Sequence, residues 1–127
     1  MSLELIKELD ELYMKLEVNL SFFSPRHEKV IVDVYQAMGG IEGGGLVSFW
    51  SAYIPQKRMI KSFRILGEHE IADILAESKW IKKSAQSGQK VTREEYSDFN
   101  TLNTELWNNL KGVPSKLIKY AKKQNLL

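Results

Sequence analysis

The apolar residues of this chain recur at intervals of three and four rather than alternating with polar ones. That spacing places apolar side chains on one face of an α-helix, whereas a half-buried β-strand needs strict alternation. The chain contains no sustained alternation and no Asn-Gly or Asp-Gly hairpin turn. We therefore predict an all-α fold in which residues 1–127 form one domain, a compact bundle of about six to seven helices.

Capping residues and chain breakers divide this pattern into segments in the N-terminal half. Ser24 is predicted to cap a second helix that opens at Pro25. A short third helix is predicted to end before Pro55, and a fourth to run from about Pro55 to Leu66, with Gly67 as its left-handed C-cap. The predicted inward positions are Leu5, Leu9, Leu12 and Leu16, flanked by Ile6 and Tyr13; Val30, Val34 and Met38; Leu46, Phe49, Trp50 and Tyr53; and Met59, Phe63 and Leu66.

Similar signals divide the C-terminal half. A fifth helix is predicted to follow Gly67 and to lead into a loop at 84–90. Thr92 and Glu95 form a capping box that opens a sixth helix. A last helix follows the break at 112–114, with Ser115 as a cap. The predicted inward positions are Ile71, Ile74, Leu75 and Ile81; Phe99, Leu102, Leu106 and Leu110; and Leu117, Ile118 and Ala121.

Five of the eight glycines of the chain fall within the segment GGIEGGG at 39–45. A phosphate-binding P-loop would need lysine and a hydroxyl residue after its last glycine, but Leu46 and Val47 follow Gly45. A dinucleotide fingerprint would need a different glycine spacing after a strand. Because glycine reaches positive φ without strain, we expect the cluster to turn a corner between two helices. The predicted structural motif consists of Gly43, Gly44, Gly45, Leu46, Phe49, Trp50 and Gly67, and Phe49, Trp50, Phe63 and Leu66 are expected in one core.

The stretches GIEGGGLVSFW and SFRILGEHEIADIL resemble a bacterial domain-of-unknown-function family that includes a DNA-mimic protein. The resemblance covers about residues 28–110 and implies an all-α bundle. It rests on Gly44, Gly45 and Leu46 at a Gly-Gly-aromatic turn, on the doublet Phe49-Trp50, and on Ile65, Leu66, Gly67, Ile71 and Leu75 at a second signature. Gly43 stands where the family has asparagine, and Leu46 where it has an aromatic residue.

The net charge argues against transfer of DNA mimicry to this chain. A mimic must present carboxylates at a density near that of duplex phosphates. This chain carries 18 basic and 16 acidic residues, a net charge of +2, and has five lysines and no acidic residue after Glu105.

No pattern in the sequence supports catalysis, a metal site or a cofactor. The chain has no cysteine, and the GLVSF segment lacks the G-x-S-x-G elbow of serine hydrolases. His69-Glu70 begins like a zinc-protease motif, but Asp73 stands where the second histidine is needed. His27 and His69 are expected on solvated first turns. We expect no enzyme, and an uncharacterised hydrolase stays a remote alternative.

Lys57, Lys61 and Arg64 recur on one face of the predicted fourth helix and are the candidate partner-binding residues. The leading hypothesis is a cytoplasmic, non-catalytic module that binds a protein partner, as an inhibitor, immunity or regulatory protein. The alternative is nucleic-acid binding through this basic stripe. A homodimer is a further form that such a module can take. A membrane partner is not expected, since no apolar run approaches the ~20 residues of a spanning helix.

Overall fold

A computed structural model describes residues 3–82 and 92–127, and every regular element within them is an α-helix. The helices of nine residues or more are α1 (Leu3–Asn19), α2 (Arg26–Ser51), α3 (Gln56–Leu66), α4 (His69–Glu77), α5 (Arg93–Leu110) and α6 (Val113–Lys123). The all-α prediction is confirmed. In these ranges no helix combines the length and apolarity needed to cross a membrane.

The longest helix, α2, lies at the centre of the bundle and contacts α1, α3, α5 and α6. Helix α4 packs against α3 and α5, and α1 packs against α6. Buried apolar side chains from all six helices form one cluster. The helical spacing of the sequence produces this arrangement, because each helix turns one apolar stripe towards α2 or towards a neighbour of α2.

Most side chains expected in the core are buried there. Phe49, Trp50 and Phe63 are at most 2% exposed, and the rings of Phe49 and Trp50 meet edge to face at 5.0 Å. The indole Nε1 of Trp50 donates to the Ser78 hydroxyl at 2.9 Å, so this polar group does not lie unsatisfied in the core. Leu66 is only partly buried and packs against the margin of the cluster.

The glycine cluster forms a corner, as predicted, and the corner lies at its last two glycines. Gly39, Gly40 and Gly43 keep helical backbone angles, so α2 does not end at the first glycines. The helix breaks at Gly44 (φ −167°, ψ 16°) and Gly45 (φ 66°, ψ −149°), then resumes. A side chain at Gly45 would be strained at this φ, and its Cβ would lie 2.7 Å from Oδ1 of Asn103. The same Oδ1 accepts the Leu46 N–H at 3.1 Å, a donor that the kink frees from the helix.

Two predicted helix ends, the C-terminus of α3 and the N-terminus of α5, are confirmed. Gly67 has φ 92° and ends α3 in the left-handed conformation. Thr92 and Glu95 exchange both hydrogen bonds of the capping box at 3.1 Å.

Three other predictions were wrong. Tyr53 is fully exposed, because α2 ends at Ser51 and Tyr53 lies in the connection to α3. Ser24 does not cap α2: its hydroxyl accepts the Ser21 N–H, and Pro25 occupies the capping position with its carbonyl. Ser115 lies inside α6, which begins two residues earlier at Val113.

Two further predictions cannot be compared with the structure. The side chains of Leu5 and Ile6 and the predicted loop at 84–90 lie outside the described residues.

Candidate binding cleft

A cleft of about 630 Å³ opens where the first turns of α2 and α3 approach each other. Its lining residues are Ser24, Arg26, Lys29, Pro55, Lys57, Arg58, Lys61 and Ser62, so five of the eight are basic. We call this group of residues the basic cleft. Pro55 is the N-cap residue of α3, and it lines the cleft together with the first turn of α2.

The helix geometry adds to the positive potential of the basic cleft. Arg26 and Lys29 lie in the first turn of α2, and Lys57 and Arg58 lie in the first turn of α3. Helix N-termini carry partial positive charge, so cations there are disfavoured and carboxylates are usual. The helix dipole therefore accounts for Glu28 in the first turn of α2 but not for these four basic residues. Their placement concentrates positive charge from side chains and from two helix ends at one site.

One carboxylate lies behind the wall of the basic cleft. Asp33 is fully buried, within the apolar run VIVDVY of α2. Its Oδ1 accepts Arg58 Nη2 at 2.8 Å and Nε at 3.1 Å, and its Oδ2 accepts Arg58 Nε at 3.0 Å and the Ser62 hydroxyl at 2.8 Å. These bonds compensate for the loss of water around the charge. Hydrogen bonding to Asp33 also raises the pKa of Arg58 above its ordinary value.

Two exposed phenylalanines lie beside the basic cleft. Phe22 and Phe23 are 86% and 89% exposed, and their rings meet edge to face at 5.4 Å. Nζ of Lys29 donates to the Phe22 carbonyl at 2.6 Å and lies 5.3 Å from the centre of the Phe22 ring. The cation–π contact and this hydrogen bond tie the aromatic pair to the wall of the cleft.

The structure divides the basic stripe that the sequence predicts. Lys57 and Lys61 line the basic cleft, whereas Arg64 lies elsewhere and pairs with Asp73 at 2.8 Å. Sequence reasoning missed Arg26, Lys29 and Arg58. One signal was available: Asp33 interrupts an apolar run, and a charge at such a position needs a buried partner.

A second, smaller groove between α4 and α5 has the opposite charge. It measures about 390 Å³ and is lined by Glu70, Asp73, Ile74, Glu77, Glu105 and Asn109. The net charge of +2 therefore conceals a separation of charge between two surfaces.

The predicted absence of a metal site was argued from His69 and Asp73. Both are exposed on α4, and Asp73 is engaged by Arg64. In 3–82 and 92–127 there is no group of three or more side chains able to hold a metal ion.

Comparisons of the chain with protein-family models, curated proteins and solved structures give no match. The resemblance drawn from the sequence motifs thus stays a prediction.

Proposed function

We propose that this protein is a non-catalytic binding module that docks an acidic segment of a protein partner in the basic cleft. The observation that carries the proposal is the convergence of five basic side chains on one cleft next to an exposed phenylalanine pair. The basic side chains favour a partner segment with negative charge. Aromatic residues are enriched at protein interfaces, where they serve as apolar anchors. Inhibition, immunity and regulation are the forms of activity open to such a module.

The aromatic geometry favours a protein over a nucleic acid. Consecutive bases of a single strand stack on ring faces. The rings of Phe22 and Phe23 stand at 88° to each other, and Lys29 occupies one face of Phe22. Two perpendicular rings suit insertion into an apolar pocket of a protein partner. They are poorly arranged to stack two consecutive bases. Nucleic-acid binding is nevertheless the second candidate, because the charge of the basic cleft suits phosphates equally well.

Site-specific photo-crosslinking tests the proposal. A benzophenone amino acid replaces Phe22, and the matched control carries it at Tyr96, an exposed aromatic residue on α5. After irradiation in a lysate of the source organism, we expect a discrete adduct from the Phe22 position only. The adduct should be destroyed by protease and resist nuclease, and charge reversal of Lys57 and Lys61 should remove it. A nuclease-sensitive adduct, or equal adducts from both positions, would overturn the proposal.

Fluorescence anisotropy tests the second candidate directly. Labelled single and double strands are titrated at two salt concentrations, and each phosphate neutralised on a duplex adds about −0.9 to the slope of log affinity against log salt. We expect only weak association that is lost near physiological ionic strength, about 0.15 M. Submicromolar binding at that ionic strength would replace the leading proposal by the second.

A further inference from the structure

Arg58 differs from the other cations of the basic cleft because a buried carboxylate fixes its orientation. Nε and Nη2 both bond the buried Asp33, yet the side chain is still 45% exposed on the cleft side. Within the described residues, Nη1 has no hydrogen-bond acceptor in the protein. The guanidinium therefore presents N–H groups to the cleft in a direction that the protein fixes.

Fixing a side chain in advance changes what it contributes to binding. A mobile lysine or arginine loses rotamer entropy when a ligand orders it. Asp33 and Ser62 have already ordered Arg58, since Ser62 is itself 3% exposed and holds Oδ2 of the carboxylate at 2.8 Å. A ligand that binds Arg58 therefore loses less free energy to side-chain ordering than one that binds a mobile lysine. It must also present its acceptor in one defined direction.

No described residue forms an ion pair or side-chain hydrogen bond with Lys57 or Lys61. Both are exposed on α3 and line the same cleft. An ammonium on a four-carbon stem is a point charge without a directional fork. These lysines raise the affinity for any anion, and they do not select its geometry.

We propose that Arg58, positioned by Asp33 and Ser62, is the specificity-determining group of the basic cleft and binds a carboxylate of the acidic partner segment. This inference rests on the proposed function. Asp33 and Ser62 act as positioning residues: their side chains are buried and act through Arg58. The remaining N–H groups of a guanidinium form charge-assisted hydrogen bonds with a planar carboxylate.

The test measures binding of a fluorescein-labelled oligoglutamate peptide by anisotropy near physiological ionic strength. Arg58→Lys keeps the charge and removes the fork, and we expect it to lower the affinity about tenfold. Ser62→Ala keeps every charge and loosens Arg58, and we expect a loss of about threefold. The matched control is Arg64→Lys, the same substitution on the same helix outside the cleft, which should change the affinity less than twofold.

The result separates this inference from the proposed function. If Lys57→Gln with Lys61→Gln weakens binding while Arg58→Lys and Ser62→Ala only lower the melting temperature, Arg58 is a structural bridge and the inference is wrong. If the wild-type protein binds oligoglutamate no better than an uncharged peptide, or binds oligothymidine more tightly, both the proposed function and this inference are wrong.

A measurement on the wild-type protein avoids any dependence on folding of the variants. The Nε–H groups of Arg58 and Arg64 are followed by nitrogen-15 NMR during the oligoglutamate titration. We expect the Arg58 signal to shift in proportion to occupancy and the Arg64 signal to stay in place. An unmoved Arg58 signal at saturation would overturn the inference.

Discussion

Helix α3 carries two arginine–aspartate pairs that share one distance and differ in their surroundings. Arg58 meets Asp33, and Arg64 meets Asp73, each with 2.8 Å between the nitrogen and the carboxylate oxygen. Asp33 is fully buried, whereas the Asp73 side chain is 60% exposed. Water reaches both arginines, but it solvates the carboxylate of the second pair and not that of the first. The comparison shows that burial of the carboxylate, and not the length of the ion pair, decides what each arginine contributes.

The two pairs also differ in what they connect. Asp33 belongs to α2, so its bonds to Arg58 and Ser62 hold the central helix against α3 at the bottom of the basic cleft. Asp73 belongs to α4, and its bond to Arg64 crosses the solvated side of the α3–α4 contact. One pair joins a buried carboxylate to the wall of the basic cleft, and the other lies at the surface, where Asp73 also lines the acidic groove.

The largest effect is expected from Arg58→Ala. This variant leaves the Asp33 charge buried with Ser62 as its one remaining partner among residues 3–82 and 92–127, and it should lower the free energy of unfolding by ~3 kcal/mol. Urea unfolding followed by circular dichroism measures the change. If Arg64→Ala lowers the free energy of unfolding by as much, burial of the carboxylate does not distinguish the two pairs.

A smaller loss is expected from the isosteric change Asp33→Asn. It removes the charge from the buried side of the pair and leaves Arg58, which water can reach because its side chain is 45% exposed. Since only the buried partner is expensive to leave unpaired, the cost should be about 2 kcal/mol. The same unfolding experiment shows which of the two variants is less stable. If Asp33→Asn costs more than Arg58→Ala, the buried carboxylate is not the partner that is more expensive to leave unpaired.

Ser62→Ala should cost about 1 kcal/mol. The substitution removes one hydrogen bond to a charged, fully buried acceptor, and Arg58 still pairs with Asp33, though it is held less firmly. A double-mutant cycle with Arg58→Ala sharpens the comparison, because residues that share one acceptor should not act additively. Strict additivity in that cycle would show that Ser62 and Arg58 do not act through the same carboxylate.

The smallest effect is expected from Arg64→Ala, at most ~0.5 kcal/mol, since both partners of that pair are largely exposed. The effect should vanish when the salt concentration is raised to about 1 M, where the screening length falls to about 3 Å. Thermal unfolding at low and high salt measures it. A cost that persists at high salt would mean that this pair is less solvated than its exposure indicates.

The features predicted correctly from the sequence depend on neighbours along the chain. Helical spacing put Leu12 and Phe63 in the core, Gly67 ended α3, and Thr92 with Glu95 opened α5. Each of these signals is complete within one or two turns of helix, so it needs no knowledge of the tertiary fold.

The features that sequence reasoning missed or predicted wrongly depend on how the helices meet and on where they end. Arg58 and Asp33 are 25 residues apart, and the cleft depends on how α2 and α3 meet, which spacing within one helix does not specify. Tyr53 continued the apolar spacing of the segment before it, yet the chain leaves the helix after Ser51 to reach Pro55 and turns the ring outward. Periodicity predicts a face, and the position where a helix stops decides whether a residue still belongs to that face.

The kink at Gly44 and Gly45 has a consequence for the order in which the protein folds. The Leu46 N–H that the kink releases bonds an acceptor 57 residues further along the chain, on Asn103 of α5. Contacts this distant in sequence form late, because the intervening chain must lose its freedom first. The N-terminal part of α2 lies close in sequence to α1, whereas the part that carries Phe49 and Trp50 is also bonded to α5 through Leu46 and Asn103. We therefore expect the two halves of α2 to complete their packing at different stages of folding.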